Sequence, residues 1–294
     1  MEGLADLHRH LDGSLRLSTL EELSTVALPP SHDVRFSAGM GLDGALARFA
    51  LTLAVLQDEG ALARVASEIC EDAAADGVTT LEIRFAPQLH GVGIPRAIDA
   101  VLDGVGGRAG VILCALYGDP PALVESLVDS ARAGVVGIDL AGGPAPSHAF
   151  AMRDYAPAFA RARTRGLGRT VHAGEGRPPS EIRVAIEALG AERIGHGTTL
   201  MDDPSVLELV LAREITIEAC PTSNVHTGAI ARLADHPLPR WLALGVRACV
   251  NTDNTLFSDV RASDELAHAR ALPGMTDELL SRAIAHGHAA RFTR

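Results

Sequence analysis

The chain has 294 residues, 47% of them apolar, and a formal net charge of −11, from 26 basic against 37 acidic side chains. No block of like charge stands out, which argues against nucleic acid or an anionic membrane surface as partner, since both demand a basic face. No apolar run approaches the roughly 20 residues that span a bilayer, and Met1-Glu2-Gly3-Leu4-Ala5-Asp6 lacks the charged-then-apolar order of a secretory signal, so a cytoplasmic protein is expected.

Eight punctuated apolar runs read as strands: Leu4–His10, Val78–Ala86, Gly110–Tyr117, Val135–Ala141, Thr170–His172, Arg193–His196, Ile215–Ala219 and Arg247–Asn251. Most are nearly continuous in apolarity, as strands covered on both faces should be. Helical patterns lie between them. Ala61–Ala75 places Leu62, Val65, Ala66, Ile69 and Cys70 on one face. Ile94–Val105, Pro120–Ala133, Pro146–Arg165, Pro178–Leu189, Asp203–Ala212, Pro237–Leu244, Asp259–Ala271 and Thr276–Arg291 follow, several opening on Pro or Asp. Strand then helix, repeated eight times, predicts a (β/α)8 TIM-type barrel, with residues 1–294 as a single domain. One region breaks the rhythm. Ser14–Glu59, with a turn-like stretch at Ala27–Gly44 and a helical one at Leu46–Leu56, is an insertion after the first strand. It falls on the face where such barrels carry their sites, so it is expected to act as a lid.

Polar residues unsuited to a core cluster at the carboxyl ends of these strands. The first ends His8-Arg9-His10-Leu11-Asp12, the fifth His172-Ala173-Gly174-Glu175, the sixth Gly195-His196-Gly197 and the eighth Asn251-Thr252-Asp253-Asn254. Each piece has a bland explanation: an incidental H-x-H, a satisfied core histidine, two helix-capping acids. Four strand ends meeting at one barrel mouth are harder to explain as packing, because unpaired charge near a core is costly. His8 and His10, at i and i+2, share a strand face. With His172 and Asp253 they make a suitable ligand set for one zinc ion, leaving a position for water. Bound zinc lowers the pKa of such a water to about 7. Glu175 and His196 remain for proton traffic. The four cysteines, 70, 114, 220 and 249, form no C-x-x-C. Cys220 sits near the pocket by its strand end, and packing is its expected role.

The segments LHRHLDG (7–13), RFAPQLH (84–90), DLAG (139–142), HAGE (172–175), RIGHG (193–197), CPTSNVHTG (220–228) and NTDN (251–254) occur in an order that resembles the adenosine deaminases of the amidohydrolase superfamily. The resemblance spans almost the whole chain. It implies hydrolytic deamination of adenosine or 2′-deoxyadenosine, with one zinc ion held by His8, His10, His172 and Asp253. It makes Glu175 the proton donor to purine N1. His196 becomes the residue that orients the attacking oxygen and stabilises its charge, and Asp253 is counted with Glu175 and His196 as catalytic. It makes His10, Asp12, Gly142 and Asn254 the substrate contacts, with Asp12 at the ribose 5′-hydroxyl and the Gly142 N–H at purine N3. Glycine at 142 is explained there by a need for no side chain. This H-x-x-E site differs from the H-x-E…P-C-x-x-C design that acts on extruded bases. Asn254 departs from the second Asp of many members, but a neutral amide can donate to purine N7. Alternatives are a modified adenine nucleoside such as aminodeoxyfutalosine, an inactive nucleoside-binding relative, and an ester or lactone hydrolase on the same barrel. The expected partner is a small purine nucleoside, and a homo-oligomer is left open.

Overall fold

The computed structural model describes residues 3–293, without the side chains of Ser31 and His32. Met1 and Glu2, part of the N-terminal stretch weighed above, lie outside them. The apolar runs form β1 (Leu4–His10), β2 (Val78–Phe85), β3 (Gly110–Leu116), β4 (Val135–Ala141), β5 (Gly168–Ala173), β6 (Arg193–His196), β7 (Thr216–Ala219) and β8 (Arg247–Val250). They pair in parallel in sequence order from β1 to β8. Closure is thin but specific: β1 meets the segment just after β8 through an isolated parallel bridge between Arg9 and Asp253. Helices cover the outside, burying Leu62, Val65 and Ile69 of Glu59–Ala75 and Ile98 and Val101 of Ile94–Val105. Among the described residues no helix is long and apolar enough to cross a membrane.

Three differences from the expected elements have physical causes. Pro146–Arg165 is not one helix. Its first part is irregular, then a 3-10 turn at Met152–Tyr155 leads into a helix at Ala156–Thr164. The Tyr155 hydroxyl there accepts from Gly118 N and donates to Asp119 O, so tertiary bonds hold the turn. Asp259–Ala271 is split, because Asp259 adopts a left-handed φ of 50° between the helices Thr255–Ser258 and Ala262–Arg270. The insertion carries its main helix at Leu42–Leu53 rather than Leu46–Leu56, started by Gly41 at φ 83°. Phe36 stacks on Phe257 and Phe49 meets the same ring edge-on, both with centroids 4.9 Å apart, which anchors the insertion over the barrel mouth.

At the opposite end the chain's last residues return. Phe292 lies under the Arg193 guanidinium at 3.6 Å, and its N–H donates to Glu82 Oε1 at 2.6 Å.

One buried acid costs the fold stability. Glu265, on the Ala262–Arg270 helix, is 0% exposed; its Oε1 accepts from Thr222 N, and its Oε2 has no hydrogen-bond partner. Burial, aided by Asp6 and Asp253, pushes its pKa from 4.5 up to about 8 against the Thr222 bonds. Between those values the folded chain keeps a proton that the unfolded chain has released. Stability therefore falls as pH rises through that window. Glu265→Gln should raise Tm by several degrees at about pH 9 and leave it nearly unchanged at about pH 5, measured by calorimetry. A loss at both pH values would show that the carboxyl is not a cost.

Candidate active site

The barrel's closing seam builds the site. His10 N–H donates to Asp253 O, and Asp253 N–H donates to His8 O, each at 2.8 Å. The seam thus sets Asp253 against both β1 histidines. The Asn251 side chain extends it by accepting from Leu7 N at 2.8 Å. Asp253 and His196 are non-glycine residues with φ of 63° and 67°. Each sits inside an i to i+2 backbone bond, Asn254 N to Thr252 O and Gly197 N to Gly195 O. These are positive-φ γ-turns, a rare backbone form that costs about 1–3 kcal/mol. The strain aims both side chains into the mouth.

Four donor atoms converge there. His10 Nε2 and His172 Nε2 are 3.2 Å apart, and Asp253 Oδ1 lies 3.5 Å from His10 Nε2 and 3.7 Å from His8 Nε2. His8 Nε2 is fully buried with no hydrogen-bond partner, an orphan that a cation would satisfy. The Nδ1 atoms of His8 and His172 are committed. His8 Nδ1 is 2.6 Å from Glu218 Oε2, and His172 Nδ1 is 3.1 Å from Asp139 Oδ2. Carboxylates at Nδ1 leave Nε2 as the ligating nitrogen, an arrangement common at metal-binding histidines. Burial, with Arg84 and the neighbouring rings, holds His8 well below the usual histidine range, so its lone pair is available. Gly195 permits the approach, because a Cβ there would stand 2.9 Å from His8 Cε1. Three imidazoles and a carboxylate fit a zinc-type ion.

Beside this cluster stand Glu175 and His196. Glu175 Oε1 accepts from Thr227 Oγ1 at 2.8 Å and from Asn224 Nδ2 at 3.4 Å. Burial raises its pKa despite those bonds. Burial drives His196 down to about 4, so it stays neutral. Its ring lies 4.9 Å from that of His8 and 5.1 Å from that of His172. An acid whose pKa burial raises, a neutral imidazole and a cation site on one floor suit metal-assisted hydrolysis.

A family model described as adenosine deaminase matches residues 3–293. The chain belongs to the adenosine deaminase family. It is 37% identical over 299 residues to an adenosine deaminase of Mycolicibacterium vanbaalenii, covering 88% of this chain and 82% of that one. It is 34% identical to a probable adenosine deaminase of Dictyostelium discoideum, where it spans 98% of itself but 40% of that longer protein. Among solved structures it resembles an adenine deaminase of Arthrobacter aurescens, with TM-score 0.89, 26% identity, and 100% and 95% of the two chains covered. The protein is a hydrolytic deaminase of a family that is generally metal-dependent.

The deaminase's cavity, about 270 Å³, opens above this floor. Leu42, Ala45, Leu46, Phe49 and Leu53 of the insertion form one wall. Asp12, Gly142 and Asn254 all line it, as do His10, His172, Glu175, His196 and Asp253. Asp12 is buried, its Oδ1 has no partner, and burial beside Asp253 pushes its pKa up to about 7. Gly142 has a φ of 76°, a left-handed value that itself favours glycine, and no protein heavy atom lies within 4 Å of where a Cβ would sit, so that spot is open to the cavity. Cys220 is buried next to His8 and Asp253, outside the cavity lining, with its thiol pushed well up by burial.

Sequence reasoning gave no role to the groups that hold these side chains. Arg84 donates to Asp139 Oδ2 and Glu218 Oε2, each at 2.8 Å, and Arg193 lies 2.7 Å from Glu218 Oε1 and 2.5 Å from Glu82 Oε2. Ser223 Oγ donates to Asp253 Oδ2 at 2.5 Å. The signal was present: Glu82, Arg84, Asp139, Arg193 and Glu218 are charges inside otherwise apolar strands.

Asp139→Asn should weaken zinc binding about 10- to 100-fold by removing the carboxylate that orients His172. Chelator competition on the metal-stripped protein measures it. An unchanged affinity would remove Asp139 from the ligand-orienting network.

Proposed function

We propose that this deaminase hydrolyses the 6-amino group of adenosine and 2′-deoxyadenosine to give inosine or 2′-deoxyinosine and ammonia, using one zinc ion held by His8, His10, His172 and Asp253. The nitrogen-rich donor set favours zinc over calcium or magnesium, which want oxygen. When bound, the ion supplies a water ionised near neutral pH.

The chain's own residues do the rest. Glu175 delivers its proton to purine N1, which draws electrons from C6. His196 donates a hydrogen bond to the oxygen that adds to C6, and Asp253, steadied by Ser223, accepts that oxygen's proton. The C6–N6 bond then breaks, and the proton returns to the leaving nitrogen as ammonia departs. Gly142 N–H and Asn254 bind purine N3 and N7.

Asp12 carries the substrate assignment. It is a buried carboxyl with an unpartnered oxygen in a cavity whose described lining includes no arginine or lysine. That chemistry accepts a sugar hydroxyl and repels a phosphate, which favours a nucleoside over a nucleotide.

Conversion of the adenosine ultraviolet spectrum to that of inosine, with ammonia released and a chelator abolishing it, is the expected result. Turnover of free adenine alone would overturn the nucleoside assignment. Glu175→Gln should keep zinc and nucleoside binding and lose about 10²- to 10⁴-fold in kcat, since an amide delivers no proton. Near-normal turnover in that variant would remove the role. Asp12→Ala should lower kcat/KM for adenosine about 10- to 100-fold but barely change it for 5′-deoxyadenosine. Equal losses on both would free Asp12 from the 5′-hydroxyl.

A further inference from the structure

The protonation pattern of His196 is set from outside the cavity, through two side chains that do not line it. One donor beside these side chains has a polarity that cannot change. The backbone N–H of Leu238 points at His236 Nδ1, 3.2 Å away. Nδ1 is therefore an acceptor, and in a neutral imidazole the proton then sits on Nε2. His236 is buried at 4% exposure, and its ring packs edge-on against Trp241 with centroids 5.5 Å apart. Its Nε2 faces Asn224 Oδ1 at 3.3 Å.

That contact fixes the amide. Asn224 is 0% exposed, so its oxygen must take the His236 proton and its nitrogen must point the other way. Asn224 Nδ2 lies 3.0 Å from His196 Nδ1 and 3.4 Å from Glu175 Oε1. Turned over, the amide would set its oxygen against a carboxyl oxygen and leave the His236 N–H facing an NH2 group. His196 Nδ1 thus accepts, and its own proton resides on Nε2. Glu175 Oε1, 3.7 Å from His196 Nδ1, is too far to compete for a hydrogen bond.

We propose that His236 and Asn224 are positioning residues: they lock His196 as the Nε2–H tautomer, so that it offers a donor to the reacting oxygen, and the same amide holds Glu175 in place. The inference rests on the role given to His196 above. The donor and acceptor polarity from Leu238 to His196 holds whatever the substrate.

The test has a readout that needs no turnover. In 15N-labelled protein at neutral pH, long-range 1H–15N correlation distinguishes the two tautomers, and the signals lost in His196→Asn identify the residue. We expect Nε2–H for His196 in the native chain. Asn224→Asp, nearly isosteric but an acceptor, should convert it to Nδ1–H. It should also cut kcat on the order of 10²-fold or more, as tautomer reversal does elsewhere, with KM within about threefold. His236→Phe should lose about tenfold, and His236→Gln, which keeps a donor, should restore most of it. A native His196 in the Nδ1–H form, or an unchanged tautomer in Asn224→Asp, would overturn the proposal. Loss of adenosine turnover together with an Nε2–H His196 would instead fault the substrate assignment.

Discussion

The structure turns on a string of charges buried inside the barrel. Arg84 and Arg193 lie among Glu82, Asp139 and Glu218, all nearly inaccessible. Such a string is expensive to desolvate, and buried ion pairs are poor devices for stability alone. Its geometry shows another use. Glu218 and Asp139 each share an arginine and each face the Nδ1 of a histidine. The two arginines hold those carboxylates in place through these contacts. The carboxylates in turn aim two Nε2 atoms at one point. With Asp253 added, this cluster sets four carboxylates against two guanidinium groups, and a divalent cation would balance the difference. The charge network and the ligand set therefore form one unit.

Strain and closure are linked in the same region. The seam between β1 and β8 is short, and its bonds run through His8, His10 and Asp253 themselves. The γ-turns at His196 and Asp253 are tolerated because neighbouring backbone bonds over-determine them. The six-residue helix Pro221–His226 follows β7 directly. It presents Ser223 to Asp253 and Asn224 to His196 and Glu175, and Thr227, the residue after it, reaches Glu175. A short element thus positions three polar groups, because it is fixed at the β7 end of the barrel.

The barrel was legible because buried parallel strands leave continuous apolar runs, and each described run is a strand within a few residues of its expected bounds. The convergence of His8, His10, His172, Glu175, His196 and Asp253 was legible because strand ends in a barrel share a mouth. The polar support was not. Pro221–His226 is too short to show a helical period. Tertiary bonds at Tyr155 decide where the helix before β5 begins. His236 lies in a loop, and only the fold reveals that its ring reaches Asn224.

Position 254 shows how local polarity shapes the floor. Asn254 Nδ2 donates to Asp253 Oδ1 at 2.7 Å. A carboxylate at 254 could make that contact only as a protonated acid, beside an acid whose pKa burial already raises. The amide makes it without a proton and adds no charge to an interior rich in carboxylates. Its second N–H remains available to an acceptor in the cavity. The neutral residue therefore keeps a donor toward the cavity while adding no like charge beside Asp253. Asp253 and Glu175, the two acids on either side of His196, each keep their own hydroxyl donor, Ser223 or Thr227.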